Sequence, residues 1–379
     1  MMYKLFSRNM LSSLRVLILN TAPGKALHAT LKTWQKIPDI QLTINNFQLP
    51  FEDCEWLRQH YPNVMQVKVN PLNRSEFIEH IKKAEGYTII TTRLNVPFDQ
   101  PLLRTLTASN QTQPLKILGQ AGSTISHIDL ATATEQGVAV TYTPGANANA
   151  VAEFVMAQIF NLTRSLIEYN QFSHDKMWSK YSIPPQEELS EKTLGLIGFG
   201  HIGRAVSMKA KALGMHVIAY ARTQPKDNDM IGIEFSPTLH NLISKANIIS
   251  LHLPLTSSTK RLIGEKEIAS MQNGSYLINT ARGEIVDEEA VAKELQKLDS
   301  KLVGVAFDVF ENEGAKFQSP LIGCKRAILT PHIAGTTNTA LTNVAVQLVN
   351  NIQNILLSNN SFLANPEILD VNKLSYYNN

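Results

Sequence analysis

Cysteine is nearly absent from this 379-residue chain: Cys54 and Cys324 are its only two. Residues so far apart offer neither a disulfide framework nor the spacing of a metal site, so no metal is expected and a reducing compartment is the simplest setting. Long apolar runs are missing too. None approaches the roughly 18–20 residues that cross a bilayer, so no membrane span is expected. Strong charge of either sign is also lacking. The formal net charge is +3 and charged residues make up 18%. No Lys/Arg run or interleaved basic and aromatic stripe occurs, which speaks against nucleic acid and membrane surfaces as partners. There is no low-complexity segment and no repeat at the periods of solenoids. Acids are absent from the start of the chain, the first being Asp39. Residues 1–14, with Lys4, Arg8 and several serines, therefore have the composition of an organellar presequence. They also read as a short disordered extension before a first strand. We prefer that second reading, with a cytoplasmic setting.

What is present is an ordinary globular composition, 44% hydrophobic, on a length suited to two domains. The first 145 residues alternate helix-like segments with short strands: "RVLILN", "DIQLTI", "VMQVKV", "GYTIITT", "LKILGQ" and "GVAVTY". Such alternation predicts an α/β fold with parallel sheets covered on both faces. "TPGANANA" (143–150) then suits a turn feeding a helix, in which Val151, Phe154, Val155, Ile159, Leu162 and Leu166 form one stripe. Pro184 and Pro185 exclude helix from the loop at 183–193. A second series follows in "TLGLIGFG", "HVIAYA", "ANIISLHLP", "GSYLINT", "LVGVAFDVF" and "RAILTPHI". These near-continuous apolar runs are those of parallel strands buried on both faces. A last helix is expected at about 336–357.

"GLIGFGHIG" (195–203) has the setting that a glycine motif needs, because a strand precedes it and an amphipathic helix follows, lined by Val206, Ala210 and Leu213. Gly198 makes the tight turn, Gly200 admits a pyrophosphate, and Gly203 lets helix pack on strand. The amides of His201 and Ile202 then face the anion at the helix N-terminus, and the His201 side chain is not expected to be catalytic. One residue is conspicuously missing. An acid about 20 residues past the glycines usually holds the adenosine ribose. Here Ala221 and Arg222 stand there, 23 and 24 residues beyond Gly198, followed by Thr223. Without the acid, nothing repels a 2′-phosphate. Arg222 can meet one with a charge-assisted bond, and Thr223 can add a hydroxyl. NADP (NADPH) is therefore expected over NAD, which remains possible.

Arg282, Asp308, Glu313 and His332 all follow strands of the second series, where ligands of open parallel sheets bind. An Arg fork suits a carboxylate, a His transfers protons near neutrality, and a carboxylate beside that His favours its charged form.

Together "GLIGFGHIGR", "SLHLPLTSST", "NTARGEIVDEEA", "AFDVFENE" and "PHIAG" closely resemble the D-isomer-specific 2-hydroxyacid dehydrogenase family. "ITTR" and "NPEIL" extend the likeness. "ARTQP" (221–225) resembles the matching stretch of NADPH-using glyoxylate and hydroxypyruvate reductases. The resemblance implies two Rossmann-like, doubly wound domains. The substrate domain would comprise 1–146 and 335–379 and the dinucleotide domain 147–334, and closure of the two would exclude water. It implies that Arg282 binds substrate, that His332 transfers the proton, and that Glu313, rather than Glu311, is its acid. Asp308 would lie near the nicotinamide, and Pro254, Thr280, Ala281 and Gly335 would contact cofactor. Ser123 and Thr124 would present amides to the substrate carboxylate, although the family usually has Gly at Thr124. Arg93 is either a mouth-of-site residue for a second anionic group or a surface arginine. A homodimer is expected, formed through about 149–182, with Trp178 either reaching the neighbouring site or serving as a plain interface or core aromatic. The implied reaction is hydride transfer between NADPH and a small 2-keto acid of the glyoxylate or hydroxypyruvate type. Two alternatives stand beside it. One is 3-phosphoglycerate dehydrogenase of serine synthesis, less favoured because no regulatory extension follows the last helix. The other is a non-catalytic, dinucleotide-sensing scaffold resembling corepressors of this fold.

Overall fold

A computed structural model describes residues 14–19, 23–37, 40–47, 49–108, 110–178, 183–222, 232–314, 317–357 and 363–365. Residues 1–13, Thr223 and positions 366–369 of "NPEIL" therefore lie outside the described residues. The chain forms two compact units, Met1–Asn147 with Thr337–Asn379, and Ala148–Thr336.

The first unit runs β1 (Leu14–Ile18), α1 (Lys25–Trp34), β2 (Ile40–Asn45), α2 (Phe51–His60), β3 (Met65–Val67), α3 (Arg74–Lys83), β4 (Ile89–Thr92), α4 (Gln100–Leu106), β5 (Ile117–Gln120), α5 (Leu130–Glu135) and β6 (Ala139–Tyr142). Three of its helices start where a side chain takes a free amide. Asn73, Asp99 and Asp129 accept from the third residue of α3, α4 and α5 respectively. The strands form one parallel sheet in the order β3-β2-β1-β4-β5-β6. Its order reverses between β1 and β4.

The second unit runs α6 (Ala148–Arg164), α7 (Leu166–His174), β7 (Thr193–Ile197), α8 (His201–Ala212), β8 (His216–Tyr220), β9 (Glu234–Phe235), α9 (Leu239–Lys245), β10 (Ile248–Leu251), α10 (Glu265–Ala269), β11 (Ser275–Asn279), α11 (Glu288–Leu295), β12 (Leu302–Phe307) and β13 (Ala327–Leu329). Its parallel sheet has the order β13-β12-β11-β10-β7-β8-β9, reversing between β7 and β10. The last helix, α12 (Asn338–Leu356), returns to the first unit, where Leu348, Val349, Ile352 and Ile355 pack with Leu27, Leu31 and Trp34 of α1. Beyond it, Asn365 completes the open edge of β6, accepting from Val140 N–H at 2.8 Å and donating to Val138 C=O at 2.9 Å.

Each sheet separates two cores. Along β1, Val16 and Ile18 face one and Leu17 the other. Along β12, Val305 and Phe307 face one and Ala306 the other. Every fully buried Leu or Ile contributes about 1.5–3 kcal/mol relative to exposure, which is why both faces of these strands read as apolar. The expected stripes end earlier than the sequence suggests. Ser165 adopts a left-handed conformation (φ 46°) that breaks the helix, so Leu166 is exposed. Leu213, beyond the last residue of α8, is likewise exposed. Among the described residues no helix is long and apolar enough to cross a membrane, and no cluster of His, Cys, Asp or Glu could hold a metal.

Candidate active site

The second sheet reverses its order between β7 and β10, the place where ligands bind in open α/β sheets. The glycine run leaves β7 at this point. Gly198 turns with φ 103°, and a β-carbon there would lie 2.4 Å from the His252 carbonyl oxygen. A β-carbon on Gly203, which is buried, would lie 2.4 Å from the Gly198 carbonyl oxygen. At Gly200 nothing lies within 4 Å, leaving the room that a close backbone approach requires. α8 begins there without a side-chain cap and without an acid in its first turn. The amides of His201 and Ile202 thus begin an uncapped, twelve-residue helix, while the His201 side chain is exposed.

Orphaned polar groups adjoin this turn. His252 and Thr280 directly follow β10 and β11, whose last residues, Leu251 and Asn279, are in register. Both ring nitrogens of His252 and the Thr280 hydroxyl are buried with no hydrogen-bond partner among the described residues. Burial pushes the His252 imidazole down to about 3, so it stays neutral. A buried unsatisfied group costs about 1–3 kcal/mol, and a ligand rich in hydrogen-bonding groups would recover part of that. These residues fit a dinucleotide. Pro254 follows on the exposed rim, and its carbonyl accepts from the Thr259 hydroxyl at 2.7 Å. β8 ends at Tyr220, and Ala221 and exposed Arg222 follow it directly.

Two strands further along, Arg282 is fixed by a turn that Asn279 shapes. The buried Asn279 amide donates to the Arg282 carbonyl at 2.9 Å, and its oxygen accepts from Ala281 N–H at 3.1 Å. The guanidinium donates to the Ala281 carbonyl at 2.5 Å. Burial lowers its pKa, while the charges of Glu313 and Glu284 oppose that shift. A half-buried guanidinium with so few partners is suited to a carboxylate ligand.

His332 lies beyond β13 in the left-handed region, φ 54°, which a residue with a β-carbon rarely adopts. Asp308, buried at the end of β12, holds it there. The Asp308 carbonyl accepts from His332 N–H at 2.8 Å. Its carboxylate accepts from the Thr330 hydroxyl (2.7 Å), Ile333 N–H (2.9 Å) and Ala334 N–H (2.8 Å), with Gly335 next in the turn. Asp308 is thus a brace in this structure. His332 Nδ1 lies 2.8 Å from Glu313 Oε2, and Glu313 Oε1 accepts from Phe310 N–H at 3.0 Å. Glu311 instead lies 3.8 Å from Arg261. Burial alone would push the Glu313 carboxyl up. The hydrogen bonds from His332 and Phe310, with the charges of His332 and Arg282, bring it below the ordinary carboxyl range. An ionised acid on Nδ1 fixes the ring and leaves Nε2 to exchange a proton.

In the first unit the sheet reverses beside β4, and Arg93 follows that strand. It has no hydrogen-bond or ion-pair partner among the described residues, and burial lowers its pKa. Ser123 and Thr124 follow the neighbouring β5. The loop is tied down by Ala121 N–H to the Thr92 carbonyl (2.7 Å) and by a contact of 3.2 Å between His127 Nε2 and the buried Gln120 side chain. Thr124 is not among the residues with positive φ, so Thr fits here without backbone strain.

Asn279, Thr330, Gln120, His127 and His252 were not legible as site residues. Each acts through burial and hydrogen bonding that only the fold assembles. For Asn279, Thr330, Gln120 and His252 the one available signal was their position at or one residue past a strand end, and His127, seven residues beyond β5, had none.

Residues 156–334 match the profile of the D-isomer specific 2-hydroxyacid dehydrogenase NAD binding domain. A hydroxypyruvate reductase of Thermotoga maritima is 37% identical over 240 residues, covering 63% of this chain and 76% of that one. A glyoxylate reductase of Thermococcus litoralis is 31% identical over 313 residues, covering 80% and 90%. The crystal structure of a glyoxylate reductase from Paecilomyes thermophila superposes with a TM-score of 0.72 at 25% identity, over 91% of this chain and 95% of the other. With the glycine turn, the Arg282 turn and the His332–Glu313 pair on one sheet, this likeness means that the chain belongs to the D-isomer specific 2-hydroxyacid dehydrogenases, oxidoreductases that depend on NAD or NADP.

Proposed function

We propose that this enzyme reduces glyoxylate or hydroxypyruvate to the D-2-hydroxy acid, with NADPH preferred over NADH. The observation that carries the reading is the hydrogen-bonded His332–Glu313 pair beyond the strand ends of the sheet that also bears the glycine turn. The names of the relatives support the substrate class. The unit Ala148–Thr336 is the dinucleotide domain and its companion the substrate domain.

When bound, a reduced nicotinamide would supply the hydride that the carbonyl carbon accepts. Arg282 binds the substrate carboxylate and orients the carbonyl. His332, held by Glu313, gives its Nε2 proton to the carbonyl oxygen, and in the oxidative direction it takes the proton back. On the other unit the amides of Ser123 and Thr124 bind substrate carboxylate oxygens, and Arg93 attracts a further polar or anionic group. Gly198, Gly200, Gly203, His201 and Ile202 cradle the pyrophosphate. Pro254, Thr280, Ala281 and Gly335 line the rest of the cofactor path, and Asp308 shapes its nicotinamide end. Arg222, with Thr223, reads the 2′-phosphate. Leu166, Ile167, Met177 and Trp178, exposed around α7, support a homodimer through this arm.

The test is a panel of glyoxylate, hydroxypyruvate, pyruvate and phosphohydroxypyruvate with both reduced cofactors, in the native enzyme and in Arg222→Ala. A hydrogen bond to a charged group is worth about 1.5–3 kcal/mol, so Arg222→Ala should lose roughly 10- to 100-fold in kcat/KM with NADPH and far less with NADH. A native preference for NADH, or equal losses with both cofactors, removes Arg222 from 2′-phosphate recognition. A strong preference for phosphohydroxypyruvate moves the enzyme to serine-pathway chemistry.

A further inference from the structure

Glu288 is the first residue of α11, directly after the Asp287 cap. It is buried, only 4% exposed, yet no ion pair joins its carboxylate to any described residue. A buried carboxylate without a counter-ion is expensive, and an apolar side chain of similar size would fill this position at lower cost. Its hydrogen bonds show what the carboxylate secures. One oxygen accepts from Glu311 N–H at 2.7 Å, and the other from the Ser319 hydroxyl at 2.5 Å. These two contacts grip both ends of the segment that carries Glu313. Within that segment, the amide next to the Glu288 contact, Phe310 N–H, itself donates to Glu313 Oε1 at 3.0 Å. Glu313 Oε2 in turn holds His332 Nδ1. On its inner side the same segment rests on Gly283, where a β-carbon would lie 1.9 Å from the Phe310 carbonyl carbon. Backbone contact fixes how deep the segment lies, but among the described residues only Glu288 takes hydrogen bonds from both Glu311 and Ser319.

We propose that Glu288 is a positioning residue for the reaction: its buried carboxylate fixes Glu311 and Ser319, on either side of Glu313, and through Phe310 N–H the reach of Glu313 to His332. The inference rests on the reading of Glu313–His332 as the proton-transfer pair.

A double-mutant cycle on kcat for keto-acid reduction tests it, with the dissociation constant of the reduced cofactor, followed by its fluorescence, as a control. Glu313→Gln should lower kcat by about 10²-fold. Glu288→Ala should lower kcat by about tenfold, as expected for a displaced catalytic group, with KM and cofactor affinity within about twofold of native. Glu288→Gln, which keeps an acceptor for Glu311 N–H, should restore most of that loss. The decisive comparison is Glu288→Ala in the Glu313→Gln background, which should be no slower than Glu313→Gln alone. A repeated tenfold loss there would mean a general structural role and overturn the proposal, as would Glu288→Gln as slow as Glu288→Ala. Should Glu288→Ala fail to fold, Ser319→Ala removes a single anchor, and the expectation is a loss of about two- to threefold that vanishes in the same background. Persistence of that smaller loss would equally overturn it. If Glu313→Gln itself leaves kcat unchanged, the proton-transfer pair is wrong and this inference falls with it.

Discussion

His332 is held in a left-handed backbone conformation by one buried aspartate, and strain of this kind persists only where the surroundings over-determine it. Because Asp308 grips the backbone rather than the ring, His332→Ala should keep the fold. We expect kcat to fall by about 10²–10⁴, with a native-like circular dichroism spectrum and, since the hydrogen bond to Glu313 is lost as well, a melting temperature lowered about as much as in Glu313→Gln. Near-native turnover of the folded variant would remove His332 from the mechanism. Glu313 makes a second prediction. Its carboxyl is held below the ordinary range, so the stability it contributes is present above that range, about pH 4–5, and is lost as pH falls through the depressed value. The melting-temperature gap between the native enzyme and Glu313→Gln should therefore be widest near neutrality and close in acid. A gap that widens on acidification would contradict the sign. At this scale Arg282 and His332 stand out in the sequence as polar residues just past apolar runs, whereas the choice of Glu313 over Glu311 rests on the family resemblance alone. Glu288 and Asn279 could not be read, because a buried carboxylate or amide leaves no local period. The partners of Glu288 lie in another loop, and those of Asn279 are backbone groups of its own turn.

Between elements, packing distances decide what is tolerated. The second sheet brings the turn after β11 against the segment after β12, with no space for a side chain at Gly283. Gly283→Ala must push Phe310 outward. Overpacking of this sort costs about 1–3 kcal/mol, so the denaturation midpoint should fall and kcat with it, because Phe310 N–H holds Glu313. A variant that is destabilised but turns over normally would show that the displacement stops short of Glu313. The strands could largely be read from the sequence, since parallel strands covered on both faces must be apolar throughout. β9 could not, because two residues carry no period. Nor could the end of α6, where the apolar stripe runs through Leu166 but Ser165 turns left-handed and ends the helix.

Across the molecule, the unit Ala148–Thr336 is continuous in sequence, and its companion is not. The inner face of α1, with Leu27, Leu31 and Trp34, shares its core with Leu348, Val349, Ile352 and Ile355 of α12. During synthesis those partners are made some 200 residues after the rest of that sheet. At about 5–20 residues per second this is a delay of roughly 10–40 s. For that interval the nascent chain holds a first unit whose apolar seam is open, while the second unit can already close. Chains arrested before α12 emerges should yield to protease throughout residues 14–147 and resist it within 148–336. Equal resistance of both would mean that α12 is dispensable. On this order of synthesis the first-born half should be the last to become native.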